Sequence, residues 1–185
     1  MASLATSDLQ PEELDRLAGA IRDVNDFPKP GIVFKDITPV LSDPGLFDLA
    51  MRALNATFAH EKVDKIIGID ARGFIFAAVM ADRRRTGFIP VRKIGKLPWQ
   101  THMEAYELEY GEARIEIHKD AILPGERVLL VDDLLATGGT AAAALNLVSA
   151  FEGRLVGAAF LIELAFLNGR QRLGSHLDIR SVLTY

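Results

Sequence analysis

Apolar positions follow two different rhythms along the chain. Leu14, Leu17, Ala18 and Ile21 recur at helical spacing behind Pro11-Glu12-Glu13. Asp8 or the residues just after it would cap that helix, and acids occupy its first turn. The pattern stops at Asp26-Phe27-Pro28-Lys29-Pro30-Gly31, a turn-rich stretch, and Ile32-Val33-Phe34 follows as a short extended piece. Residues 44–59 read as a second helix. From there, short continuous apolar runs at 65–69, 88–91, 127–131, 155–164 and 179–183 alternate with helical segments at 73–84 and 140–151. Unbroken apolar strands separated by helices predict an α/β fold, with a central, mostly parallel sheet covered by helices on both faces. Ligands of such sheets bind at the carboxyl ends of the strands, which directs attention to residues 70–73 and 132–140. The rhythm breaks between Arg92 and His118. The first part of that excursion holds Gly95, Pro98 and few core-like residues, and Tyr106–Tyr110 alternates as half of a hairpin with residues 113–118. A long excursion from a compact domain is usually functional or disordered.

Composition narrows the function classes. The chain has 185 residues, which suits a single domain over 1–185. Its net charge of −4 gives no basic field for nucleic acid, so a phosphorylated ligand must be held by local donors. Without cysteine there are no disulfides, thiolate nucleophiles or cysteine-held metals. No apolar run approaches the roughly 18 residues of a membrane span. The first residues resemble neither a secretory nor a transit signal, so a cytoplasmic location is expected.

The most informative segment is Val128-Leu129-Leu130-Val131-Asp132-Asp133-Leu134-Leu135-Ala136-Thr137-Gly138-Gly139-Thr140. A buried strand delivers two acids to its exit, and a turn of small residues then opens a helix. Gly138 and Gly139 let backbone approach an anion, helix-start amides suit phosphate, and Thr137 and Thr140 add hydroxyls. Phosphate repels acids, so Asp132 and Asp133 require another partner: vicinal ribose hydroxyls, or Mg²⁺ reached through water. A strand–turn–helix with capping residues and no ligand is the plainer alternative. The loop lacks the lysine of a P-loop and the spacing of a dinucleotide turn. Asp70-Ala71-Arg72-Gly73, at the end of the first core strand, is a second candidate anion pocket, with Arg72 offering a fork of donors. A buried Asp–Arg pair beside a glycine turn is its bland reading.

With these residues in view, the chain resembles the phosphoribosyltransferase family, from about Asp26 to Leu183, and most of all its adenine-specific branch. The resemblance rests on the segment Asp26–Ile37, on Asp70-Ala71-Arg72-Gly73-Phe74, on Arg92-Lys93 with Gly95-Lys96-Leu97-Pro98, on Leu108-Glu109-Tyr110-Gly111, and on the acid–threonine–glycine loop. It implies transfer of a phosphoribosyl group from phosphoribosyl pyrophosphate (PRPP) to adenine, giving AMP and pyrophosphate. It also implies Mg²⁺ bound through PRPP and water rather than by a protein cage, and a homodimer. An N-terminal helix and base-binding hood would span 1–40, and a flexible catalytic loop and hairpin 94–118.

The resemblance also implies roles for single residues. Asp132, Asp133 and the loop Ala136-Thr137-Gly138-Gly139-Thr140 would bind the ribose phosphate. Asp70, Ala71 and Arg72 would grip pyrophosphate, across a cis bond between Asp70 and Ala71. Lys96 and Arg92 would meet the pyrophosphate side, Arg92 reaching a neighbouring subunit's site. Glu109 would move the purine N9 proton, and Tyr110 would shield the ribose. Enzymes for 6-oxopurines carry an aspartate where Ala136 stands, so acid–base help must come from elsewhere, and Glu109 is the natural supplier. Backbone at Val33, Phe34 and Lys35 would pair the adenine edge, with Phe34 stacking and Leu134 and Leu164 completing an apolar slot. Ordinary core packing is the alternative for Phe34. Two features depart from the family pattern: Trp99 stands where glycine is usual, and Arg83-Arg84-Arg85 is unusually basic, as suits a solvated helix end. Three rival functions are a 6-oxopurine phosphoribosyltransferase, a PRPP-sensing regulator and a PRPP synthetase fragment. The regulator would need a DNA-binding module and the synthetase an ATP-binding half, and neither is visible in the sequence.

Overall fold

A computed structural model describes residues 9–108 and 111–185, which form two compact units meeting in sequence at Ala59 and His60. The first unit contains α1 (Pro11–Ala20), β1 (Arg22–Asn25), β2 (Val33–Asp36), α2 (Thr38–Ser42) and α3 (Pro44–Thr57). Helix α1 starts with Pro11, whose missing N–H costs nothing there, and the Glu13 carboxylate accepts the Gln10 N–H at 3.1 Å. Gln10 is thus the cap, and Asp8 lies outside the described residues. Asp43 caps α3 by accepting from the Leu46 amide at 2.8 Å. The sequence pattern missed β1. Its residues Arg-Asp-Val-Asn have little strand propensity, and the strand exists by antiparallel pairing with β2, Val24 opposite Phe34. Asp26, at φ 58°, turns the chain between them, its carboxylate accepting the Gly31 amide at 2.7 Å. Helix α2 was also missed, being one short turn started by Pro39.

The second unit contains β3 (Lys65–Ile69), α4 (Arg72–Arg84), β4 (Gly87–Lys93), β5 (Thr101–Leu108), β6 (Gly111–His118), β7 (Arg127–Leu135), α5 (Gly139–Val148), β8 (Arg154–Glu163), α6 (Gly169–Leu173) and β9 (Ile179–Thr184). The seven strands stand in the order β5-β6-β4-β3-β7-β8-β9. Strands β4, β3, β7, β8 and β9 pair in parallel, and the β5–β6 hairpin joins antiparallel to β4. The expected sheet is therefore present. The hairpin is longer than the alternation suggested: its first strand begins at Thr101, so part of the predicted irregular excursion is sheet.

Strand alternation sorts the core onto two faces. Ile67, Ile69, Val128, Leu130, Ala158 and Phe160 pack in one cluster with Ala141, Ala144, Leu147 and Val148 of α5. On the opposite face a Cβ at Gly68 would fall 2.7 Å from the Ala77 Cβ, so α4 lies directly on the sheet there. Both helices begin where a central strand ends, which brings their first turns to the same rim.

Candidate active site

Parallel pairing places the ends of β3 and β7 side by side. The β3–β7 register runs from Lys65 opposite Val128 to Gly68 opposite Val131 and then stops. Strand β7 continues, paired only with β8, through Asp132, Leu134 and Leu135. The two acids expected at the strand exit thus lie within the strand, in the stretch that outruns β3. The space left open is a cavity of about 280 Å³ lined by residues 69–72 and 132–141. It gathers Asp70, Ala71, Arg72, Asp132, Asp133, Leu134, Ala136, Thr137, Gly138, Gly139 and Thr140, the two loops that the sequence marked separately.

The charges inside are arranged unequally. Asp133 is 5% exposed and is ion-paired to the Arg72 Nε. Asp132 lies against Gly73, where no Cβ would fit, and one of its oxygens accepts the Asp133 amide at 2.9 Å. Burial pushes the Asp132 carboxyl well above the usual aspartate range, the neighbouring charge of Asp133 adds to this, and Arg72 opposes it more weakly. Asp133 is therefore paired with Arg72, while Asp132 keeps its proton to higher pH than an ordinary aspartate. The Asp70–Ala71 bond is cis, as the resemblance implies. Arg92 donates from Nε to Asp70 at 3.1 Å and from Nη1 to the Lys96 carbonyl at 3.2 Å. Arg92, expected to serve a neighbouring subunit's site, is bonded within its own chain to Asp70, which lines the cavity.

The helix-start loop has the form an anion requires. Gly138, at φ 79°, precedes α5, and its carbonyl receives the Ala142 amide at 2.8 Å. The amides of the first turn have no carbonyl partner within the helix, and their dipoles favour negative charge. Behind this loop stands Gly169, which the sequence gave no reason to notice. A Cβ on Gly138 would lie 2.5 Å from the Gly169 carbonyl oxygen, and one on Gly169 would strike the carbonyl of Ala136. The start of α6 is held in turn by Arg170, paired with Glu163 at 2.6 Å.

The remaining predicted residues are spread more widely. Leu164 is nearly buried and donates its amide to the Leu135 carbonyl at 2.9 Å, but it does not line the cavity. Val33, Phe34 and Lys35 lie together on β2 in the first unit, with the Phe34 ring edge-on to Phe27 at 5.2 Å and the Lys35 ammonium 2.6 Å from Asp23. Glu109 and Tyr110 lie outside the described residues. Sequence reasoning also missed Glu116. Strict alternation with Ile115 and Ile117 places it outward, yet it is 4% exposed and accepts the amides of Lys96 and Leu97, each at 2.9 Å. Among the described residues no cluster of three or more metal-ligating side chains occurs, and no helix is long and apolar enough to cross a membrane.

The sheet order and the paired strand-end loops define a class, and comparison with known proteins agrees with it. The model of the phosphoribosyl transferase domain matches residues 38–177, and the chain belongs to that family. It is 57% identical over 172 residues to the adenine phosphoribosyltransferase of Anaeromyxobacter dehalogenans, covering 93% of this chain and 99% of that one. It is 53% identical over 176 residues to that of Acidothermus cellulolyticus, covering 95% and 99%. Among solved structures, the adenine phosphoribosyltransferase of Rhodothermus marinus superposes with a TM-score of 0.90 at 52% identity, covering 95% of this chain and all of that one. The Saccharomyces cerevisiae enzyme, solved with an imino-altritol bisphosphate and adenine, gives 0.88 at 40% identity, covering 94% and 100%. The activity is accordingly that of the adenine branch: the phosphoribosyl group of PRPP passes to adenine, giving AMP and pyrophosphate in purine salvage.

Proposed function

We propose that the cavity between β3 and β7 is where PRPP is held, with each strand-end loop taking one of its phosphate groups. One observation carries the assignment: two stretches far apart in sequence line one cavity, one bringing Arg72 and the other two acids and a helix start. The loop 136–140 binds the 5-phosphate through amides and the Thr137 and Thr140 hydroxyls. Asp132 and Asp133 take the ribose hydroxyls. Asp70, Ala71 and Arg72 hold pyrophosphate, helped by Lys96 and by Arg92, which reaches a neighbouring subunit's site. Recognition of the base is assigned, on the family resemblance, to Val33, Phe34 and Lys35 and to Leu134 and Leu164.

The anomeric carbon of PRPP is already activated, so no enzyme nucleophile is required. The bond from C1′ to the pyrophosphate oxygen breaks with its electron pair leaving on pyrophosphate. Adenine N9 forms the new bond to C1′, and its proton passes to Glu109. Arg72, Lys96 and Arg92 offset the charge that develops on the leaving group, so catalysis is positioning and electrostatics. Mg²⁺ would be carried by PRPP and water near Asp132 and Asp133, in keeping with an ion that retains several waters and binds substrate phosphates. When bound with PRPP, the ion would neutralise phosphate charge. Tyr110 and the rest of residues 94–110 close to exclude water from the activated sugar. We also propose a homodimer in the cytoplasm, where a charged sugar phosphate of this kind is retained.

The decisive assay presents adenine, hypoxanthine and guanine in turn, each with PRPP and Mg²⁺. Adenine is expected to be consumed with AMP as product. Preference for either 6-oxopurine by about tenfold in kcat/KM, some 1.4 kcal/mol in the transition state, overturns the assignment of the base-recognising residues. Light scattering that reports only monomer together with full activity removes the homodimer.

A further inference from the structure

We infer that Glu116 is a positioning residue for the reaction: its buried carboxylate fixes the turn that presents Lys96 to the pyrophosphate side. The inference rests on the role of Lys96 proposed above. The turn follows β4, and Gly95 takes φ 78°, a conformation that side chains other than glycine rarely adopt. Two consecutive amides, those of Lys96 and Leu97, then point at one oxygen of Glu116, each at 2.9 Å. The other oxygen accepts the Thr101 hydroxyl at 3.1 Å. Lys96 is therefore gripped on both of its peptide groups. Glu116 holds its N–H, and Arg92 holds its carbonyl at 3.2 Å while reaching Asp70 at 3.1 Å. The path from Glu116 through Lys96 and Arg92 ends at a residue lining the PRPP cavity.

A carboxylate suits this place better than an amide. Two N–H donors and one hydroxyl converge on it, and an ionised carboxyl accepts at both oxygens. Burial works against the charge, but the amides of Leu97 and Lys96 and the Thr101 hydroxyl together outweigh it, leaving the carboxyl below its ordinary range. The charge is thus kept inside the sheet by the turn it organises. Glu116 faces Met103 across the hairpin and Arg92 across the β4–β6 pairing, so its position is set by the sheet rather than by the loop.

The test is a double-mutant cycle of Glu116→Gln and Lys96→Ala, read as kcat/KM for PRPP at saturating adenine. Glutamine retains one acceptor oxygen for the two amides and loses the charge. Glu116→Gln is expected to lower kcat/KM for PRPP by about tenfold, as loss of hydrogen bonds to a charged group does, with KM for adenine unchanged. In the Lys96→Ala background the same change is expected to have almost no further effect. A full repeated loss in that background overturns the inference and leaves the role of Lys96 standing. An unimpaired Lys96→Ala enzyme overturns that role and the inference with it, whereas a Glu116→Gln enzyme with parental kinetics overturns the inference alone. If Glu116→Gln does not fold, Thr101→Val, which removes only the hydroxyl from Glu116, carries the cycle by the same criteria.

Discussion

Gly169→Ala offers a sharp test of how the phosphate loop is held, because Gly169 touches that loop from behind and lies outside every recognisable motif. The backbone of Gly169 is not in the left-handed region, so alanine meets no conformational penalty there. The cost is steric. The new methyl group would strike the Ala136 carbonyl oxygen and lie 3.1 Å from Leu135 Cδ1 and 3.2 Å from the Ala136 carbonyl carbon. Overpacking of this kind costs about 1–3 kcal/mol. Removing glycine's freedom in the unfolded chain offsets about 0.4–1 kcal/mol of that. The net loss, about 0–2.6 kcal/mol, lowers Tm by no more than about 10 °C at this chain length. Catalysis should suffer more, since the displaced atoms belong to the loop itself and a shift of about 1 Å can cost on the order of 10²-fold in rate. Initial rates at saturating adenine, with PRPP varied, should show kcat/KM for PRPP reduced about 10- to 100-fold, beside a modest calorimetric Tm shift. Gly19→Ala is the control, because a Cβ there meets nothing within 4 Å. A folded Gly169→Ala enzyme with parental kcat/KM for PRPP would refute the proposed contact between α6 and the loop.

Three further outcomes are expected. Asp133→Asn, which breaks the pair with Arg72, should raise KM for PRPP by at least about tenfold while sparing KM for adenine; a selective loss of adenine affinity contradicts the placement of this acid. Glu109→Ala should lower kcat by about 10²–10⁴-fold in single-turnover measurements, and Glu109→Gln should also be poor; near-normal turnover in both means that the N9 proton leaves by another route. The Asp132 carboxyl titrates higher in the folded state than in the unfolded one, so its contribution to stability is complete below about pH 4 and is lost as pH rises through the folded value. Asn at this position removes that loss, so the Tm of Asp132→Asn relative to the parent should climb as pH is raised from about 4 towards neutrality. A constant difference across that range shows that Asp132 ionises normally.

The sheet was legible because its strands are continuous apolar runs, a signal that depends on burial on both faces and on little else. The strand-end loops were legible because glycines, acids and threonines at a strand–helix junction have few other uses. Strand β1 was not, since Arg22–Asn25 holds its shape through its partner and carries no apolar period. The reach of β7 beyond Val131 was hidden for a related reason: Asp132 and Asp133 read as the end of a strand when composition alone is considered, yet pairing with β8 carries the strand to Leu135. Glu116 violates alternation because its partners are backbone amides of a turn, and no side-chain pattern records where those amides point. Gly169 is recorded in the sequence only as a glycine, and its significance comes from a loop more than thirty residues earlier.

The adjacency of β3 and β7 also bears on how the protein acquires its binding competence. Lys65 and Val128 are separated in sequence by α4, β4 and the hairpin, so the cavity depends on a pairing of high sequence separation. Pairings of this kind make folding slow, since loop closure must precede the contacts that reward it. Nothing resembling the complete cavity exists in any local fragment. PRPP can therefore stabilise the protein only by mass action on the assembled state. Its weight falls on the rate of unfolding, while the rate of refolding stays that of the bare chain.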